Sequence, residues 1–179
     1  MSPRPAPDLA QRRVEIITAA RGLAESGGWG AVTMRRLAAE LSVTQPVLYS
    51  AFDSRQALID AVALEGFTDI AVALEAVEAT PMARMRAYLD FAAAHPRAYE
   101  AMFSMPSGLA FAADDTPEPL HRAFSALQAV FPDADGTRAE VAWSTLHGLA
   151  TLQAGGRLRP SHVRARLDLA HRMLTRGSR

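Results

Sequence analysis

Neither cysteine nor lysine occurs anywhere in the 179 residues. Without thiols there are no disulfides, no thiolate metal site and no cysteine nucleophile, and a reducing cytoplasm is the favoured setting. Because lysine is missing, all nineteen cations are arginine; a bias that affects every site marks none of them as functional. No apolar run approaches the roughly 18 to 20 residues of a membrane span. The start, MSPRPAPD, also lacks the apolar centre of a signal peptide, so a soluble, cytoplasmic chain is expected. No nucleophile motif of the G-x-S-x-G kind occurs, which argues against hydrolase chemistry, and no internal repeat is found.

Apolar material is plentiful. At 49% apolar residues the chain can build a packed core in one or two domains. Its net charge is zero, but unevenly distributed: residues 1–55 carry seven Arg against five acids, 56–135 four against twelve, and 136–179 eight against two. A weakly basic first part still suffices for phosphate contacts if its few cations share one face.

The pattern is helix after helix, with no strand, which gives an all-α fold of about nine helices. Residues 1–7, with three prolines, are expected to be a flexible arm; contact of Arg4 with DNA is the alternative. Asp8 is placed to cap a helix to about Ser26, with Ile16, Ala20, Leu23 and Ala24 as its buried stripe. Gly27, Gly28 and Gly30 end it. The GGWG run resembles part of a phosphate loop, but no strand precedes it and no lysine follows, so a helix stop is the reading. Trp29 and Val32 should seal a small core. Further on, Asp53 with Gln56 resembles a capping box opening a long helix to about Ala79. Thr80 and Pro81 open a helix over 82–94, and His95 with Pro96 starts another through Met105. Residues 104–117 are the loosest link, placed as a mobile loop over a pocket. A helix over 120–131, a turn over 132–136, an apolar helix over 141–154 stopped by Gly155 and Gly156, and a last helix from Pro160 to Arg176 follow. In that last helix Val163, Leu167, Ala170 and Leu174 make one stripe.

The stretch over 33–55, TMRRLAAELSVTQPVLYSAFDSR, carries the chemistry. Met34, Leu37, Ala38 and Leu41 give one apolar face behind Thr33 as N-cap. Ser42 and Val43 break the pattern, and Thr44 caps a second short helix whose first turn tolerates Pro46. Leu48 and Phe52 face inward, which turns Gln45, Tyr49 and Ser50 outward. This is the pattern of a helix-turn-helix aimed at the DNA major groove. Arg55, beside the amides of the next helix N-terminus, makes sense against a phosphate.

These residues resemble the TetR family of transcriptional regulators: a first helix ending in Gly-Gly, then Val32, Thr33, Leu37, Ala38, Val43, Leu48, Tyr49, Phe52 and the Ser54-Arg55-x-x-Leu58 segment. Ser42 stands where the family usually has Gly, and Ala51 where a His or polar residue is common. Residues 87–103 and 142–158, with Trp143, His147 and Gly148, resemble the C-terminal domains of the family's WHG-type branch. The resemblance implies an arm at 1–7, a DNA-binding head at 8–55 and a ligand-binding and dimerisation body at 56–179. It further implies a homodimer paired through the last two helices on a palindromic, double-stranded operator, with a small-molecule effector releasing a repressor.

Within that frame Thr33, Arg35, Tyr49 and Arg55 suit phosphates, Gln45 an adenine edge, and Thr44 or Pro46 a thymine methyl, with Ser50 beside them. Tyr88, Phe91, Tyr99, Met102, Phe103, Met105, Phe111, Phe124, Trp143 and His147 are candidate walls for an apolar or aromatic effector. No cofactor or metal is expected. Two rival classes are a helical ligand-binding dimer that ignores DNA and a metal-dependent helical-bundle enzyme. The second would use the Glu118/His121 and Asp168/His171 pairs, whose acid-x-x-His spacing puts two ligands on one helical face.

Overall fold

Helix starts are set by side chains that satisfy the first free amides. In the computed structural model, which describes residues 9–110 and 115–176, Thr33 and Thr80 both have extended backbone. Each accepts a bond from the amide three residues on, Arg36 N at 3.2 Å and Ala83 N at 3.4 Å. The described residues contain α1 (Leu9–Gly27), a 3₁₀ turn (Trp29–Ala31), α2 (Met34–Glu40), α3 (Gln45–Ala51), α4 (Arg55–Glu75), α5 (Pro81–Ala94) and α6 (Pro96–Phe103). Then come α7 (Glu118–Gln128), α8 (Thr137–Ala154), a second 3₁₀ turn (Pro160–His162) and α9 (Val163–Thr175), with no strand among them. The expected arm with Arg4, the Asp8 cap and the candidate wall residue Phe111 lie outside the described residues.

Two expectations about helix ends need correction. The Asp53/Gln56 capping box does not form: Ser54 Oγ accepts from Ala57 N at 3.0 Å, while Gln56 Nε2 donates to Asp60 Oδ1 at 2.9 Å and to Pro106 O at 2.6 Å. A serine one residue later does the same work, because any short oxygen-bearing side chain at that position reaches the free amide. The long helix α4 stops at Glu75, short of Ala79, since the chain must become extended at Thr80 ahead of Pro81.

The chain divides into two compact units. The first comprises the described residues up to Leu64 together with Arg97–Leu109. In it α1 packs on α2 and α3, with Ile16, Val32, Leu37 and Leu48 fully buried. Truncating Leu37 or Leu48 to alanine would cost about 2 to 5 kcal/mol. The α6 segment is tied into this unit by polar bonds. Trp29 Nε1 donates to Arg97 O at 2.9 Å, Arg97 N to Glu25 Oε1 at 3.3 Å, and Gly108 N to Asp60 Oδ2 at 3.3 Å. Residues 106 and 108, expected to belong to a loose loop, are thus held against α4.

The second unit takes Glu65–Pro96 and the described residues from Ala110 on. There α5 packs against α8 and α9, and α7 against α8. Buried Arg84 donates to Ala126 O in the last turn of α7, a cation where the helix dipole favours one. Arg122 grips Glu75 with two bonds, Nε to Oε1 at 2.8 Å and Nη2 to Oε2. That bond holds the Glu75 carboxyl below its ordinary range and pushes the guanidinium up. Gly136 turns into α8 with φ 84°, and Asp133 accepts its amide at 2.8 Å. Of the expected α9 stripe Leu167 and Ala170 are buried and Leu174 half-buried, whereas Val163 is exposed at the helix start.

Candidate nucleic-acid interface

The turn between α2 and α3 is made by one left-handed residue. Ser42 has φ 52°, the position the resemblance gives to glycine, while Leu41 N, Ser42 N and Val43 N bond back to Leu37 O, Ala39 O and Ala38 O at 3.0, 3.2 and 2.9 Å. Those three bonds hold the turn although serine must bear the strain of a Cβ there. Thr44 occupies the N-cap of α3 with extended backbone but makes no side-chain cap bond, and Pro46 sits in the first turn. Inward, Leu48 is fully buried and Phe52 2% exposed; outward, Gln45, Pro46, Tyr49 and Ser50 are exposed, Tyr49 at 47%.

The outward groups differ in what they have left to offer. Thr33 Oγ1 accepts the Arg36 amide, which leaves its hydroxyl hydrogen for a phosphate. Ser50 Oγ donates to Val47 O at 2.7 Å, so its hydrogen is engaged on its own helix. Arg35 is exposed on α2. Arg55, expected to face a phosphate, spends two of its N–H groups within the head: Nε donates to Val32 O at 2.8 Å and Nη2 to Trp29 O at 2.7 Å. Both carbonyls belong to the segment that leads into α2, and Trp29 O also accepts Val32 N at 3.2 Å. A residue that sequence reasoning did not single out is Arg13 of α1. It donates to Ala51 O and lies over the Phe52 ring, 4.2 Å from its centroid. No local pattern signals a pair 38 residues apart.

Two family descriptions match the chain: "Bacterial regulatory proteins, tetR family" over residues 16–62 and "Tetracyclin repressor-like, C-terminal domain" over residues 82–176. The chain belongs to the TetR family. Solved structures agree in fold. A protein of unknown function from Rhodococcus sp. RHA1 is 28% identical, with a TM-score of 0.74 and 97% of each chain covered. A bacterial regulatory protein of the tetR family from Rhodococcus RHA1 is 20% identical, with a TM-score of 0.60 over 90% of this chain and 96% of that one. A TetR variant from Acinetobacter baumannii AYE in complex with minocycline is 17% identical, with a TM-score of 0.64 over 89% and 91%. No curated protein matches the sequence. As a TetR-family member the chain is a DNA-binding transcriptional regulator rather than an enzyme, and none of its described helices is long and apolar enough to cross a membrane.

In this TetR chain the candidate effector-wall residues fall into two groups. Tyr99, Met102, Phe103 and Met105 belong to the first unit, where the Tyr99 and Phe103 rings stand 4.7 Å apart. Tyr88, Phe91, Phe124, Trp143 and His147 belong to the second. There Trp143 Nε1 donates to Tyr88 Oη at 3.2 Å, and Phe124 meets Trp143 edge-on at 6.3 Å. Tyr88 and Phe91 are buried, while Phe124, Trp143 and His147 are half-buried. Burial pulls the His147 imidazole below its ordinary value, which favours the neutral ring. Among the described residues no three His, Asp or Glu side chains converge as a metal would require, so Glu118/His121 and Asp168/His171 remain isolated pairs.

Proposed function

We propose that this chain is a dimeric, ligand-released repressor whose α3 reads a palindromic operator. The observation that carries the reading is the division of α3, with Gln45 and Tyr49 exposed above a fully buried Leu48. Gln45 is the base reader, its amide donating and accepting at the N6 and N7 edge of adenine. Such a pair discriminates by about 1 to 3 kcal/mol. Thr44 and Pro46 flank it for a thymine methyl. Thr33, Arg35 and Tyr49 hold phosphates and fix the register, with Ser50 lending an acceptor at the rim. Dimerisation would place two such helices about 34 Å apart, or a multiple of it.

Apolar side chains left on the surface support pairing through α8 and α9: Val141 and Leu152 on one helix, Leu169 and Met173 on the other, the last 65% exposed. Gly148 lies on the same stripe of α8 as Val141 and Leu152. A Cβ built on it meets no atom within 4 Å, so a partner helix has room to approach. For the effector, the Tyr88, Phe124 and Trp143 group offers an aromatic wall with half-buried members. The same fold holds minocycline in the Acinetobacter protein. An effector acts only through its differential affinity for the two head spacings.

The test is selection from a random duplex pool by the purified chain. It should return a palindrome, and Gln45→Ala should relax preference at one position per half-site while leaving overall retention on DNA. Selection that returns no shared sequence, or a Gln45→Ala chain with unchanged preference, refutes the assignment.

A further inference from the structure

The recognition helix is too short to hold itself. Its seven residues lie far below the roughly 12 to 15 an isolated helix needs in water, so α3 is only as rigid as its attachments. Leu48 anchors its inner face, but its C-terminal end poses a separate problem. At Phe52 the backbone leaves the helix (φ −140°, ψ 115°) while Phe52 N still bonds Leu48 O at 2.9 Å. The carbonyls that follow Leu48 then have no later helical amide to take them. One of them, Ala51 O, receives an N–H from Arg13 Nη1, and the same guanidinium lies on the Phe52 ring, 4.2 Å from its centroid. The cation thus meets the negative pole of the helix dipole and a ring face together.

Arg55 does the matching work elsewhere in the motif. Its two bonds, to Val32 O and Trp29 O, fasten the start of α4 to the segment that delivers Thr33 to the head of α2. By charge and surface position both arginines would pass for phosphate ligands. Yet the N–H groups they commit, one from Arg13 and two from Arg55, go to carbonyls of the motif itself.

We infer that Arg13 and Arg55 are positioning residues for operator reading, fastening the reading surface through its own carbonyls rather than through phosphate. This rests on α3 being the reader, and the two ideas fail separately. The full chain is tested against the duplex it selects, by fluorescence anisotropy over a series of NaCl concentrations, well below the melting temperature of each variant. Arg13→Met and Arg55→Met should each weaken binding about tenfold. The loss should be the same at every salt, with the slope of log K against log[NaCl] as in the parent. Arg35→Met, which removes a phosphate contact, should lower that slope by about one. Arg13→Lys, which keeps a donor and the charge but not the plane, should recover part of the loss, and it carries the test if Arg13→Met does not fold. Amide exchange over residues 48–52, which needs no DNA, should quicken in Arg13→Met. A slope lowered by about one in either Met variant would make that arginine a phosphate ligand. Unchanged affinity and unchanged exchange would remove the fastening role. If the parent selects no duplex, the operator reading falls, while the exchange measurement still judges the fastening of α3.

Discussion

Replacing Trp29 with phenylalanine tests whether α6 is truly part of the head. The indole is 5% exposed, and its Nε1 donates to Arg97 O at 2.9 Å, a contact spanning 68 residues of sequence. Phenylalanine keeps a ring but removes the donor and the second ring. Because Arg97 is exposed, water can reach the abandoned carbonyl, and the lost bond costs about 1 kcal/mol. The unfilled space next to Val32 and the end of α1 adds about 1 to 2 kcal/mol. The expected destabilisation is therefore about 2 to 3 kcal/mol, read as a lowered urea midpoint by far-ultraviolet circular dichroism. Amides over 98–102 should exchange faster in Trp29→Phe, while those of α8 and α9, in the other unit, keep the parent's rates. An unchanged midpoint together with unchanged exchange in α6 would refute the claim that this bond ties α6 to the head.

Other expectations concern the turn, the interface and pH. Ser42→Gly relieves a left-handed φ of 52° and should stabilise the chain by up to about 1 kcal/mol, less what glycine adds to unfolded-state entropy; a lowered melting temperature would contradict it. Gly148→Arg places a long cation where a Cβ alone meets nothing, so it should leave the monomer folded and shift sedimentation towards single chains, and a dimer of parental strength would sink that interface. Since burial lowers the folded-state His147 pKa below 6.5, the unfolded chain takes up the proton more readily. Its contribution is thus fully present above about pH 6.5 and is lost as pH falls towards the folded-state value. His147→Gln should flatten that part of the urea midpoint profile between pH 7.5 and 5.5, and parallel profiles for the two chains would refute the assignment.

What could be read from the sequence was local. The caps Thr33 and Thr80, the inward pair Leu48 and Phe52 and the outward Gln45 and Tyr49 follow from spacing within one or two helical turns, and the structure places them accordingly. Ser42 was noted as standing where the family usually has glycine, and it is the residue with the left-handed φ of 52°. The cap of α4 was misjudged by one residue, because Asp53 and Ser54 are equally good acceptors on paper and only the backbone direction chooses Ser54. What escaped reading depends on distant partners. Arg55 bonds carbonyls 23 and 26 residues away, Arg13 one 38 away and Trp29 one 68 away. Periodicity carries no information at that range. For the same reason the aromatic and methionine residues of 88–105 could be named but not divided between the two units.

The chain has only two tryptophans, and each compact unit contains one: Trp29 beside α6 and Trp143 against Phe124 and Tyr88. Each unit therefore carries its own intrinsic fluorophore. With Trp29 replaced, emission reports the surroundings of Trp143 alone, so quenching on adding a small molecule would test the proposed effector site; with Trp143 replaced, the surviving indole reports the first unit alone. Titrating the two single-emitter chains in parallel would separate effector binding from the head's response without any attached dye.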